Sequence, residues 1–310
     1  MTTATATATV RDVKPPPARR STPRSDRAAY LFLAPFLLVF TVFTFVPALM
    51  ALAYSFTDIK AGDLRHPYSV DFVGLQTFAT ALGSPEFQRS VLNTGTFVVV
   101  GVPLTIAIGL ALAVALNNGI NRLKTFFRAA LYAPVVTNVV AVAVIWQYAF
   151  TPSGPVNSLL SAAGINGPNW LGDPNWAMPT VIAMGIWRNA GTCMVLFLAG
   201  LQSLPTDVYE AAALDGAGAW RRFRLITLPM LRPTTLLVTV LVTVFYMNVF
   251  DEPFLLTKGG PLGSTETIAL WVFQQFGFGN IGPSMAGSYV LLLLIAVVSF
   301  VQFRLFRTKE

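Results

Sequence analysis

The sequence predicts an all-α polytopic membrane protein with six transmembrane helices, and three observations predict it. The 310-residue chain is 54% hydrophobic and only 11% charged, against about 25% charged in an ordinary soluble domain. Six apolar runs, at residues 30–57, 91–116, 126–150, 178–201, 234–257 and 284–306, each approach the ~20 residues that a bilayer-crossing helix needs. The basic residues are sorted unequally among the segments that join these runs. So little charge does not solvate a soluble enzyme, and so much apolar content excludes a disordered chain. The single cysteine, Cys193, excludes a disulfide framework and a multi-cysteine metal site.

Residues 1–29 are rich in Thr, Ala, Pro and Arg and read as a disordered cytoplasmic tail, leaving 30–310 as the membrane domain. In the first span, Ala51-Leu52-Ala53 has the form of a signal-peptidase site. The run before it is long and five more follow, so the span is read as uncleaved. Pro35, Pro47, Pro103 and Pro134 lie in or near spans, where neighbouring groups satisfy the freed backbone. None of the runs alternates with period two, which argues against strands. The outer connection 58–90 carries the only histidine, His66, beside Asp63, Asp71 and Glu86, all read as solvated loop residues. The second outer connection, 151–177, holds Trp170 and Trp176, read as anchors at headgroup level.

Sixteen of the 21 Lys and Arg fall on one side: in the tail, among Arg122, Lys124 and Arg128, among Arg221, Arg222, Arg224 and Arg232, and at Arg304, Arg307 and Lys309. The other side has Lys60, Arg65, Arg89 and Lys258. The positive-inside rule therefore places both termini in the cytoplasm. The pI near 9.8 reports topology, and no nucleic acid is expected as a partner.

The cytoplasmic connection at about 204–232 is the most informative stretch. Asp207 is placed to cap a helix, with Glu210 three residues on as the reciprocal member of a capping box. Ala211, Ala212 and Ala213 keep that helix slim enough for another surface to approach closely. Gly216 supplies the left-handed residue that ends it. A second helix over 219–228 runs into Pro229, and its Arg221, Arg222 and Arg224 suit anionic lipid headgroups. The pair forms an L on the inner face of the membrane.

These residues resemble a known family. Glu210-Ala211-Ala212, then Gly216, Ile226 and Leu228-Pro229 reproduce, in identity and spacing, the signature loop of binding-protein-dependent ABC importer permeases. Weaker matches occur in the right order: Phe72-Val73-Gly74-Leu75, Phe127-Arg128 running to Pro134, Ala199-Gly200-Leu201-Gln202, and Leu256-Thr257-Lys258-Gly259-Gly260-Pro261. The resemblance covers about residues 30–306 and narrows to the carbohydrate-uptake class, the maltose and glycerol-phosphate type. It implies a type I importer permease whose helix with Glu210, Ala211, Ala212, Asp215 and Gly216 docks into a groove on a cytoplasmic ATPase and transmits its closure. Ile226, Leu228 and Pro229 complete the loop. It also implies a second, usually non-identical permease, two ATPase subunits and an extracytoplasmic binding protein. The chain has no Gly-x-x-x-x-Gly-Lys-Ser/Thr phosphate loop. ATP is therefore expected to be used by the partner, with no cofactor, metal or catalytic residue in this chain.

Ionisable residues inside spans are costly and are functional candidates by default. Arg188 falls near the middle of the fourth span, and Asp251 and Glu252 near the outer end of the fifth. Arg188 reads as a tie to backbone carbonyls or as a pathway residue; the two acids read as an interfacial helix end or as part of that pathway. Thr239, Thr243 and Tyr246 share one face of the fifth span, and Asn248, Asp251 and Glu252 another. Hydroxyls, an amide and aromatic rings suit a neutral sugar. The resemblance aligns Val242, Tyr246 and Val249 with positions that line the maltose-type site, and two of the three are valine here. The candidate pathway is Arg188, Tyr246, Asn248, Val249 and Asp251. Phe245 and Phe250 read as packing residues, and Cys193 as a small buried apolar one.

The expected function is ATP-driven import of a sugar or sugar derivative. The alternatives are an ion-coupled secondary carrier and an importer of a phosphorylated polyol such as glycerol phosphate. Secondary carriers often carry internal repeats, and none is visible. A membrane enzyme needs clustered acids, histidines or a nucleophile, and the sequence has no such cluster.

Overall fold

The computed structural model describes residues 24–65, 70–118 and 123–306. His66, Arg122, Arg307, Lys309 and residues 1–23 of the expected tail lie outside the described residues. The regular elements within them are helices, with one isolated bridge between Thr57 and Phe72. Five helical stretches are long and apolar enough to cross a membrane, and a bent pair counted as one span makes six.

The chain divides into two units, residues 1–50 and 51–310. In the first, α1 (Arg24–Phe40) begins ahead of the expected start at residue 30 and passes through a π turn, Thr41–Phe45, into α2 (Val46–Tyr54). Its apolar side chains, Phe32 and Phe43 among them, are exposed. A helix apolar on all sides suits hydrocarbon rather than water.

The second unit opens with α3 (Gln76–Gly83), then α4 (Pro85–Thr96), a π turn at Phe97–Gly101, and α5 (Val102–Asn118). The span Pro85–Asn117 thus starts earlier than expected. Ser84 is the reason: its Oγ accepts from the Phe87 amide at 3.1 Å, with Pro85 at the first helical position.

The third run was expected as one span over 126–150 and is instead two helices. They are α6 (Lys124–Val136) and α7 (Val139–Ala149), which meet at 94°. Thr137 is extended, and Asn138 Oδ1 accepts from the Val140 amide at 2.8 Å. An N-cap inside an apolar run starts a new helix in a new direction.

After α8 (Pro155–Ala162), the 29-residue α9 (Pro174–Gln202) forms the centre of the unit. It packs against α5 and α6. A Cβ on Gly109 of α5 would lie 2.4 Å from Cys193 Cβ of α9, so glycine at 109 is what allows these two helices to approach. Next come α10 (Thr206–Leu214), α11 (Ala219–Arg222), a π turn at Phe223–Thr227, and α12 (Leu228–Met230). Then α13 (Arg232–Met247) and α14 (Asp251–Leu256) make the fifth span in two pieces. The chain ends in α15 (Ile268–Gly277) and α16 (Ile281–Phe306). Helix α15, too short to cross a bilayer, was not anticipated. It packs on α16 and α4, with Trp271 edge-on to Phe87 at 4.7 Å.

All three π turns end two residues before a proline: Pro47, Pro103 and Pro229. A proline ring clashes with the carbonyl four residues earlier and offers no N–H. That carbonyl, of Phe43, Val99 or Leu225, sits mid-turn each time, and the wider π turn moves it aside.

Candidate functional site: the cytoplasmic loop and the membrane ion pair

The loop is built from α10 to α12. Pro205 is the residue before α10, with φ −66° and ψ 130°, and no side chain caps the helix. Asp207 therefore lies within the first turn, and the expected capping box with Glu210 does not form. The reason is local: proline has no N–H to leave unpaired and its φ is preset, so the helix starts directly after it. Asp207 still complements the positive end of the helix. Glu210 and Ala211 are exposed, whereas Ala212 is buried.

The C-terminus of α10 is a complete Schellman motif. The Ala217 amide donates to Ala212 O at 2.9 Å and the Gly216 amide to Ala213 O at 3.1 Å. Asp215 is the C-cap and Gly216 follows at φ +74°. A Cβ on Gly216 would meet nothing within 4 Å, so the backbone conformation alone demands glycine there.

Tyr209 Oη and Thr227 Oγ1, 2.9 Å apart, tie α10 to the second helix. That helix was expected to stop at Pro229, but it runs through Pro229 to Met230, because the π turn absorbs the proline. Ile226 is half-buried, and Leu228 and Pro229 are exposed. The loop also presents large apolar side chains to solvent, with Leu214 90% and Trp220 72% exposed. Exposed acids, Asp207, Glu210 and Asp215, and exposed bases, Arg221 and Arg224, share the loop with them. Exposed apolar side chains rimmed by charge mark an interaction surface.

Within the membrane, Arg188 of α9 meets α14. Its Nη1 lies 2.9 Å from Glu252 Oε1 and 3.8 Å from Asp251 Oδ2. Glu252 is 1% exposed, so the interfacial reading does not hold for it. The Asp251 side chain is 49% exposed. Helix α13 ends at Met247, and the break before α14 brings both acids to the guanidinium. Gln147 of α7 donates to Leu255 O at 2.7 Å, so α14 is held at both ends.

The other candidates separate. Tyr246 is fully buried, with its Oη 2.7 Å from Thr105 Oγ1 and its ring 5.2 Å from Phe97. Val249 is buried too, and its carbonyl accepts from Thr267 Oγ1 at 2.7 Å. Asn248 is exposed and returns its Nδ2 to Val244 O at 2.8 Å. A cavity of about 390 Å³ is lined by Arg188, Asn189, Thr192, Cys193, Leu241, Val242 and Phe245, among others. Phe245, expected to pack, is therefore a lining residue. On another face of α9 lies a mainly apolar cavity of about 420 Å³, bounded by Ile108, Pro134 and Trp187 among others.

Sequence reasoning passed over Asn189, Thr192 and Gln147, although an amide or hydroxyl inside an apolar run is itself the signal. Trp170 proves to be pinned as well as placed: its Nε1 donates to Asn157 Oδ1 at 2.6 Å, and its ring meets Trp176 at 5.1 Å.

Residues 105–309 match the family described as the binding-protein-dependent transport system inner membrane component. The lactose transport system permease LacF of Rhizobium radiobacter is 35% identical over 291 residues, covering 92% of this chain and 96% of that one. The trehalose/maltose permease MalF of Thermococcus litoralis is 32% identical over 288 residues, covering 93% and 96%. Among solved structures, a bacterial ABC transporter involved in the import of the acidic polysaccharide alginate superposes with a TM-score of 0.74 at 25% identity, covering 92% of this chain and 98% of that one. By its fold, its cytoplasmic loop and these relatives, the chain belongs to the inner-membrane permeases of binding-protein-dependent ABC importers.

Proposed function

We propose that this chain is one of two non-identical permease subunits that carry a saccharide into the cytoplasm, with both termini on the cytoplasmic side. Two ATPase subunits supply the energy on separate polypeptides, a binding protein delivers the cargo from outside, and this chain holds no cofactor. Relatives named for lactose, trehalose/maltose and arabinooligosaccharides support a saccharide cargo.

The observation that carries the reading is the loop itself, a slim helix closed by Gly216 with an exposed, partly apolar face. Closure of the ATPase pair moves α10. The Tyr209–Thr227 contact passes that motion to α11 and α12, which lead into α13 with a single break at Leu231. At its far end α13 meets the break before Asp251 and the Arg188–Glu252 pair. The loop and the membrane site thus share one lever, and rocking it alternates access between the two sides.

The test is uptake into vesicles carrying the whole assembly. Uptake should require ATP at the cytoplasmic face and survive ionophores that collapse proton and sodium gradients. Uptake that stops with the ionophores and persists without ATP would assign the chain to ion-coupled carriers instead.

A further inference from the structure

Resting on that saccharide reading, we propose that the cavity beside Arg188 selects uncharged saccharides and turns away anionic ones, whether carboxylated or phosphorylated. The fold does not decide this, since the solved alginate importer shares it. The side chains do.

The cavity of about 390 Å³ offers the hydroxyl of Thr192 and the amide of Asn189, whose Nδ2 also donates to Gly185 O at 2.8 Å, beside the exposed ring of Phe245. A sugar uses such a set by hydrogen-bonding its hydroxyls and laying its C–H face on the ring. Among the described residues Arg188 is the only cationic one that lines the cavity, and its Nη1 already faces two carboxyl groups. Nη1 is 2.9 Å from Glu252 and 3.8 Å from Asp251. One guanidinium facing two carboxyl groups leaves no positive charge unmatched.

An anion that draws the Arg188 guanidinium toward itself weakens the contact of Nη1 with Glu252. Glu252 is 1% exposed, and stranding it unpaired in that position is strongly unfavourable. The Asp251 carboxylate, which the same guanidinium nitrogen faces at 3.8 Å, adds a second negative charge beside Arg188. Like charges held close together repel. An uncharged saccharide escapes both penalties.

Equilibrium binding to the purified whole assembly in nanodiscs, with the binding protein omitted, tests the idea at this site. The probes are lactose, trehalose and maltose, each beside its aldonate or 6-phosphate. The uncharged form should bind at least tenfold tighter, a difference of about 1.4 kcal/mol. Asp251→Asn should narrow that ratio severalfold, and Glu252→Gln, which frees the guanidinium, should narrow it further. If Glu252→Gln fails to assemble, Asp251→Asn alone decides, because its side chain is half-exposed. Anionic forms that bind as tightly as uncharged ones, or a ratio that Asp251→Asn leaves unchanged, would overturn the inference. ATP-driven uptake of anionic saccharides alone would overturn it while leaving the import reading intact. Absence of binding and uptake for every saccharide, with ATP hydrolysis preserved, would overturn both.

Discussion

Arg188 and Glu252 form a pair whose two halves have unequal freedom: the guanidinium lines a cavity while the carboxylate is sealed. Replacing Arg188 by Leu leaves Glu252 buried without its partner, a loss of roughly 3–5 kcal/mol for a broken buried pair. The variant should melt well below the parent by scanning fluorimetry, and the double replacement Arg188→Leu with Glu252→Leu should recover much of the loss. Equal melting of the single variant and the parent would show that the pair carries no stability. Arg188 was legible as a functional residue, since a lone charge inside an apolar run admits few readings. Depth along the spans brought Asp251 and Glu252 within reach of its side chain but did not assign the pair. Depth counted along an unbroken helix cannot anticipate the break at 248–250, and that break decides which acid turns inward. Tyr246 and Val249 mislead for the same reason. A face deduced from helical period says which residues align but not whether they face a cavity or the core.

At the scale of elements, prolines and caps shaped what composition alone had drawn as uniform rods. Each π turn precedes a proline, a correlation that sequence could have supplied had the steric demand of the ring been followed back four residues. The bend between α6 and α7 rests on Asn138, which accepts from the amides of Val140 and Ala141. Asn138→Ala should cost about 1 kcal/mol, the usual worth of an N-cap, and should lower the melting temperature. An unchanged melting temperature would place the cause of the bend elsewhere. The six apolar stretches were legible because length and hydropathy alone decide them. The short helices α3 and α15 were not, because each is stabilised by packing on α16 rather than by its own pattern.

At the scale of the whole molecule, the shortage of charge has two consequences. It permits the chain to cross a bilayer, and it makes the remaining charges informative. The basic residues crowd one side of the sequence map, and in the proposed coupling Glu210 and Arg188 mark the two ends of a path through α10 to α13. In the signature loop Gly216 takes the left-handed conformation that its spacing anticipated, whereas the capping box and the stop at Pro229 did not appear. In the proposed coupling the loop's partner lies on another chain, so this sequence does not display that surface directly.

The central claim is that the 206–230 loop couples ATP hydrolysis elsewhere to passage through this chain. The most direct measurement is the ratio of saccharide taken up to ATP hydrolysed, in vesicles carrying the whole assembly with Gly216→Asp or Glu210→Lys. Coupling through the loop predicts at least a tenfold fall in that ratio, with the chain still in the membrane and hydrolysis continuing. An unchanged ratio in both variants would contradict it.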